Sequence, residues 1–145
     1  IRKAIEENTE LRKEVEEFMK ERTRNVAKEL LETAESYGGM KIVSLAGVRT
    51  PDMVKNVAFL VRQMSSTATA FIAATADIAG KPLLTVALTD DLVSGGLNAS
   101  AIVRNAAKAI KGGGGGQPGF AQAGGKDADG LSIAFTSMHD ALKGN

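Results

Sequence analysis

The chain reads as an α/β (α+β) protein, a small mixed β-sheet flanked by helices and preceded by one long coiled-coil-like helix. Three observations predict this. All 16 glycines and all three prolines follow Tyr37, so residues 1–37 contain no helix breaker. From Met40 onward, short strand-like runs alternate with segments whose apolar residues recur at intervals of three and four. The connection between the second and third runs is too short for a crossover helix, which makes those two strands a hairpin.

The first element is a helix over residues 1–37. Arg12 with Glu16, Lys13 with Glu17, Glu16 with Lys20 and Lys28 with Glu32 stand four apart and contribute about 0.2–0.5 kcal/mol each. Gly38-Gly39 supplies a left-handed stop. At 1.5 Å per residue such a helix spans roughly 55 Å, more than a small domain needs, so it projects. Its apolar positions Ile1, Ile5, Leu11, Val15, Phe18, Val26, Leu30 and Ala34 form a heptad-like seam, interrupted by Asn8 and Arg22. The seam suits a partner helix or second subunit; a helix lying along its own domain is the alternative. The expected division is a helical oligomerisation part over residues 1–38 and a globular part over residues 39–145.

Met40 to Gly47 is short, partly alternating and bounded by glycine, as a strand is. Thr50-Pro51-Asp52 opens a helix with a cap, a proline at the first position and an early acid. That helix runs to about Met64 with Met53, Val57, Leu60, Val61 and Met64 on one side, and Ser65-Ser66-Thr67 ends it. Ala68–Ala76 and Leu83–Thr89 are the hairpin strands, and Asp90–Gly96 reads as loop. Asn98 caps a second helix that turns Ile102, Val103, Ala106 and Ile110 inward and stops at Gly112. Asp129–Leu142 is the last helix, carrying Leu131, Ile133, Phe135, Met138 and Leu142.

The segment between those helices, Gly112 to Gly116 continued by Gln117-Pro118-Gly119-Phe120-Ala121-Gln122-Ala123-Gly124-Gly125-Lys126, is not explained by packing a core. Five residues without a Cβ leave backbone N–H groups uncovered at an entropic cost. A flexible linker has similar composition, but the run is short, lacks Ser and leads into patterned residues. Arg104, Lys108 and Lys111 precede it at i, i+4 and i+7, and Lys126 follows. The expected guest of an exposed glycine loop there is a phosphate backbone. Arg104, Lys108, Lys111 and Lys126 would meet phosphates; Gly112, Gly113, Gly114, Gly115, Gly116, Gly124 and Gly125 would allow close approach; Gln117 and Gln122 would hydrogen-bond sugars or base edges. A solvated helix face complementing the helix dipole is the alternative for the basic stripe. Aromatics are only 4% of the chain, which argues against base stacking and for recognition of folded RNA by shape.

Other function classes find little support. Net charge is +1, divided into −2 over residues 1–37 and +3 over residues 38–145, a mild basic bias. With no Cys there is no disulfide framework and no Cys-based zinc site. The chain has neither a signal-peptide pattern nor a membrane-length apolar run, and a cytoplasmic location is expected. His139 is the single histidine and sits in a terminal helix, where a surface or packing role is expected. Asp90-Asp91 has no metal-ligating companion. No catalytic or metal-binding residue is assigned. Gly114-x-Gly116-x-x-Gly119 fits a dinucleotide fingerprint in spacing but follows a helix and contains a proline, and a Walker A loop ending at Gly125-Lys126 would need Gly where Phe120 stands.

The run GGGGGQPGFAQAGG, followed by a short acidic turn and a final helix, resembles the C-terminal domain of bacterial alanyl-tRNA synthetases. The order of the other elements matches along the whole chain. The resemblance implies a non-catalytic part of an alanine-tRNA ligase that docks the elbow of alanine tRNA, helps aminoacylation and editing act on one bound molecule, and promotes dimerisation through its helix. It implies ATP, Mg and Zn for the parent enzyme and no cofactor in this part, with tRNA, the parent's other domains and a second copy as partners. The same glycine-containing domain is similar to the DHHA1-type domain that accompanies DHH phosphoesterases, where it holds substrate. That alternative requires an Asp-His-His segment upstream. A coiled-coil dimerisation module is the structural alternative.

Overall fold

The computed structural model describes residues 2–37, 39–65 and 67–143. Ile1, Gly38 and Ser66, which figure in the predicted seam and helix stops, lie outside the described residues. Helix α1 (Arg2–Glu32) leads into strands β1 (Glu35–Tyr37) and β2 (Met40–Val48), helix α2 (Pro51–Met64), strands β3 (Thr69–Ala76) and β4 (Pro82–Leu88), and helices α3 (Asp90–Ser94) and α4 (Ala99–Ala107). Strands β5 (Gly113–Gln117) and β6 (Phe120–Gly124) and helix α5 (Leu131–Leu142) complete the chain. The six strands form one mixed sheet in the order β1-β2-β3-β4-β6-β5. Only β2 and β3 are parallel, because α2 is the one crossover between neighbours; every other pair is antiparallel.

Side chains alternate across this sheet and build two cores. Ile42, Ile72, Leu84 and Val86 face α4 and α5, where Val103, Ile110 and Met138 meet them. Val43, Leu45, Phe71 and Ala87 face the other way, onto Val54, Val57 and Val61 of α2 and Ala27 of α1. The sheet is thus covered on both faces, which is why β3 and β4 read as continuous rather than alternating apolar runs. The predicted caps are present: Thr50 Oγ1 accepts from the Met53 N–H at 3.3 Å, with Pro51 next, and Asn98 Oδ1 accepts from Ala101 N–H at 3.2 Å. The hairpin between β3 and β4 is closed by Asp77 Oδ1, which accepts from Lys81 N–H at 2.9 Å, with Gly80 at φ 84°.

Several boundaries differ from expectation. The long helix stops at Glu32, where Thr33 Oγ1 donates back to the Glu29 carbonyl, and residues 35–37 form an edge strand on β2. Pairing with Ile42, Lys41 and Met40 outweighs the helical preference of that stretch. Asp90–Ser94 is a short helix rather than loop, its two aspartates lying in the first turn, where the helix dipole favours them. Helix α4 tightens into a 3₁₀ turn over Lys108–Ile110, and Lys111, not Gly112, is the left-handed terminator, at φ 52°. The last helix begins at Leu131 after a separate 3₁₀ turn over Ala128–Gly130.

Among the described residues, the buried contacts of helix α1 are made by its C-terminal turns. Ala27 is fully buried and Leu30 and Leu31 pack beside it, whereas the described side chains from Glu7 to Arg22 are all exposed. Among the described residues no helix is long and apolar enough to cross a membrane.

Candidate nucleic-acid interface

The glycine run is not a loop. It is β5, the outermost strand of the sheet, paired antiparallel with β6 in the register Gly113↔Gly124 to Gln117↔Phe120 through a two-residue Pro118-Gly119 turn. The turn is tied down on both sides: the Leu88 N–H donates to the Gly119 carbonyl and the Ala99 N–H to the Pro118 carbonyl, each at 2.9 Å. This corrects both the exposed-loop and the flexible-linker readings. The absence of side chains also has an internal cause. A Cβ at Gly112 or Gly114 would strike the backbone of the following strand, and one at Gly116 would stand 2.6 Å from the Phe120 carbonyl oxygen. A Cβ at Gly115 would lie 3.0 Å from Arg104 Nε, and one at Gly125 would strike the Ile110 carbonyl. The close approach expected of a ligand is made in the first place by the protein itself.

As the sheet edge, β5 still presents one side of its backbone outward, and the predicted cations gather there. Arg104 is exposed on α4 and its Nε donates to the Gly114 carbonyl at 3.3 Å. Lys108 and Lys111 are exposed on the tightened turn that follows. The Lys126 N–H donates to the Ile110 carbonyl at 2.9 Å, so the base of the hairpin brings Lys126 beside Lys111. Gln117 is exposed at the end of β5 next to the turn, and Gly124 is exposed opposite Gly113. Gln122 departs from this arrangement: it is half-buried and its Nε2 donates to Thr85 Oγ1 at 3.2 Å, on the α2 face of the sheet. The Arg104, Lys108, Lys111 and Lys126 side does not include it.

On that opposite face lies a groove of about 380 Å³ between the hairpin and α2, lined by Lys55, Phe59 and Arg62 on the helix and by Gly115, Gly116 and Gln117 on the strand. The Phe59 and Phe120 rings stack at 5.1 Å between centroids, 17° apart, and Lys55 Nζ sits 5.9 Å from the centre of Phe59. Sequence reasoning followed the inward side of α2 and passed over these residues. The signal was present, because 55, 59 and 62 have the same i, i+4, i+7 spacing that singled out the α4 stripe. Beyond Arg62 the surface opens into a cleft of about 690 Å³ that also contains Asp90 and Asp91, with Arg62 Nη2 3.9 Å from Asp90 Oδ1.

His139 takes part in neither site. Its Nε2 lies 2.7 Å from Glu35 Oε2, and Lys143 Nζ donates to Glu35 Oε1 at 2.9 Å, which fastens the end of α5 to β1. The hydrogen bonds from Lys143 and then His139 hold the Glu35 carboxyl below its ordinary pKa. Among the described residues no three His, Asp or Glu side chains are grouped so as to hold a metal ion.

The chain is 48% identical over 138 residues to the alanine-tRNA ligase of Bacteroides fragilis, an alignment covering 95% of this chain and 16% of that protein. It is 41% identical over 142 residues to the alanine-tRNA ligase of Parabacteroides distasonis, covering 98% and 16%. The chain therefore spans about one-sixth of the length of these relatives. Among solved structures it is similar to the C-Ala domain of Aquifex aeolicus alanyl-tRNA synthetase, with a TM-score of 0.65 at 24% identity, covering 76% of this chain and 97% of that one. It is also similar to the DHH domain of a member of the s1p family of ribosomal proteins, with a TM-score of 0.53 at 15% identity, covering 86% and 31%. At those identities the structural likeness concerns the fold. The model of the DHHA1 domain matches residues 38–144, a span that holds β2 through α5 and with them the glycine hairpin and both of its flanking helices, so that the chain belongs to the DHHA1 domain family and is homologous to the C-terminal region of alanyl-tRNA synthetase.

Proposed function

We propose that this chain is the non-catalytic tRNA-docking module of an alanine-tRNA ligase. The observation that carries RNA binding is the gathering of Arg104, Lys108, Lys111 and Lys126 along a sheet edge whose strand has no side chains before Gln117. Cations beside an open backbone suit a rigid, folded phosphate surface, and the elbow of tRNA is such a surface. Holding the elbow keeps one tRNA on the parent while aminoacylation and editing act in turn. ATP, Mg and Zn belong in this reading to other parts of the parent, which works in the cytoplasm.

The test is filter retention of tRNA and of a linear RNA of equal length across a salt series. Wild type is expected to prefer tRNA with steep salt dependence. Arg104→Glu with Lys108→Glu should weaken binding and reduce the salt slope by about 2, one for each phosphate no longer neutralised. The control pair Arg12→Glu with Lys13→Glu on α1 should do neither; equal losses of affinity in both pairs would remove the assignment of this face.

A second role rests on a separate observation. Leu11, Val15 and Phe18 are 57%, 55% and 61% exposed at spacings of four and three on the projecting part of α1. Such a stripe is the seam of a helix pair, and a second copy of the chain is its proposed partner.

A further inference from the structure

The groove between α2 and the glycine hairpin has the chemistry of a nucleotide site. Phe59 is a large apolar side chain left 44% exposed, and it is not free to fold away, because its ring is stacked on Phe120, itself a β6 residue paired with Gln117. Lys55 stands over the same ring at 5.9 Å, one helical turn before it, and Arg62 lies one turn after it against the hairpin turn. The wall opposite is the backbone of Gly115 and Gly116, and Gln117 is the one β5 side chain in the lining. No carboxylate is in the groove's own lining; the adjoining cleft, which shares Phe59 and Arg62 with it, holds Asp90 and Asp91, and Arg62 Nη2 lies 3.9 Å from Asp90 Oδ1.

We propose that this groove holds one unpaired nucleobase of the bound RNA, stacked on Phe59, with the adjoining phosphates against Lys55 and Arg62. The inference rests on the RNA-binding reading above and adds a second, base-dependent contact on the opposite face of the same hairpin. Its volume lies at the lower end of the roughly 300–1,000 Å³ of small-molecule sites, which suits one nucleotide and excludes a duplex. A base inside a duplex is covered on both faces by its neighbours, and a groove of this size has no room for a pair, so the base that fits on the ring is an unpaired one. Two positive side chains, with no acid in the groove's own lining, favour a phosphate-bearing partner over an apolar peptide. The low aromatic content that argued against stacking does not decide the matter, because two of the five phenylalanines stand together at this one place.

The experiment compares binding, at low salt, of a single-stranded oligoribonucleotide and of an abasic ribose-phosphate strand of the same length. Wild type is expected to bind the base-bearing strand more tightly. Phe59→Leu, which keeps an apolar contact with Phe120, should lose about tenfold on that strand and nothing on the abasic one. Phe59→Tyr should retain the preference, and Arg104→Gln should weaken both strands alike. A strand carrying 4-thiouridine should photocrosslink in wild type to the peptide containing Phe59, a readout independent of any variant's folding. Equal binding of the two strands by wild type, an unchanged preference in Phe59→Leu, or crosslinks that avoid α2 would each overturn the proposal. If tRNA binding still depends on Arg104 and Lys108 in that case, the elbow reading stands; if tRNA is not bound at all, both fall.

Discussion

Glu35 is the residue whose local sequence says least about its place. It follows a helix of strong formers and reads as one more helical acid, yet in the fold it opens β1 and receives His139 and Lys143 from the far end of the chain. Tyr37 adds to the same clamp: its hydroxyl donates to the Lys143 carbonyl at 3.4 Å, and Lys143 Nζ lies 5.2 Å from its ring centre. Since Glu35 titrates below its unfolded value, the clamp contributes stability in full above the ordinary carboxylate pKa and loses it as pH falls through the folded one. Protection of the amides in the last turn of α5, taken against intrinsic exchange at each pH, should therefore fall on acidification below that range. In Glu35→Gln the turn should exchange faster already at neutral pH and respond less to acid. An identical pH response in the two proteins would show that the clamp does not hold α5. No local pattern reveals such a pairing, because its partners are more than a hundred positions apart.

At the scale of the element, the glycine hairpin separates what backbone geometry demands from what a ligand would. Gly114 and Gly113 are neighbours of the same type on one strand, but a Cβ at Gly114 would strike the Gln122 carbonyl whereas one at Gly113 would meet nothing within 4 Å. Gly114→Ala should therefore destabilise the domain by about 1–3 kcal/mol, as overpacking does. Gly113→Ala should be neutral or stabilise by about 0.4–1 kcal/mol, because it reduces the freedom of the unfolded chain alone. Thermal unfolding of the two variants checks this; equal effects would mean that contact with β6 does not explain the run. The elements that were legible in the sequence are those with local signals: Thr50-Pro51-Asp52 and Asn98 fix the starts of α2 and α4, and the short Asp77–Pro82 connection forces the β3–β4 hairpin. The glycine strand was not legible as a strand, because glycine has low strand propensity and no side-chain period, so its pairing with β6 is visible only in three dimensions. The α4 cations were found by their spacing next to the glycines. Lys55, Phe59 and Arg62 were missed because their neighbour in space, β5, is about fifty residues away in sequence.

At the scale of the molecule, one end of the chain is a covered sheet and the other a helix without a cover. From Glu7 to Glu17 that helix has five glutamates against Arg12 and Lys13, whereas from Lys20 to Lys28 it has four basic residues against Glu21. Two copies laid parallel along the stripe of Leu11, Val15 and Phe18 would set like charge on like. Laid antiparallel, they set the acidic half of each on the basic half of the other, which favours association and fixes its direction. The chain has no native cysteine, so single introduced thiols report the arrangement directly. In an antiparallel pair set in that charge register, Phe18→Cys stands near the two-fold axis and should form an intermolecular disulfide readily, whereas Leu11→Cys is held apart from its own copy and should not. A parallel pair would crosslink through both positions. Phe18→Glu should shift sedimentation equilibrium toward monomer while leaving the part of the tRNA affinity that depends on Arg104 and Lys108 unchanged, because those two cations lie on the other side of the sheet from α1. Loss of tRNA binding together with self-association would instead mean that the interface is completed only in the dimer.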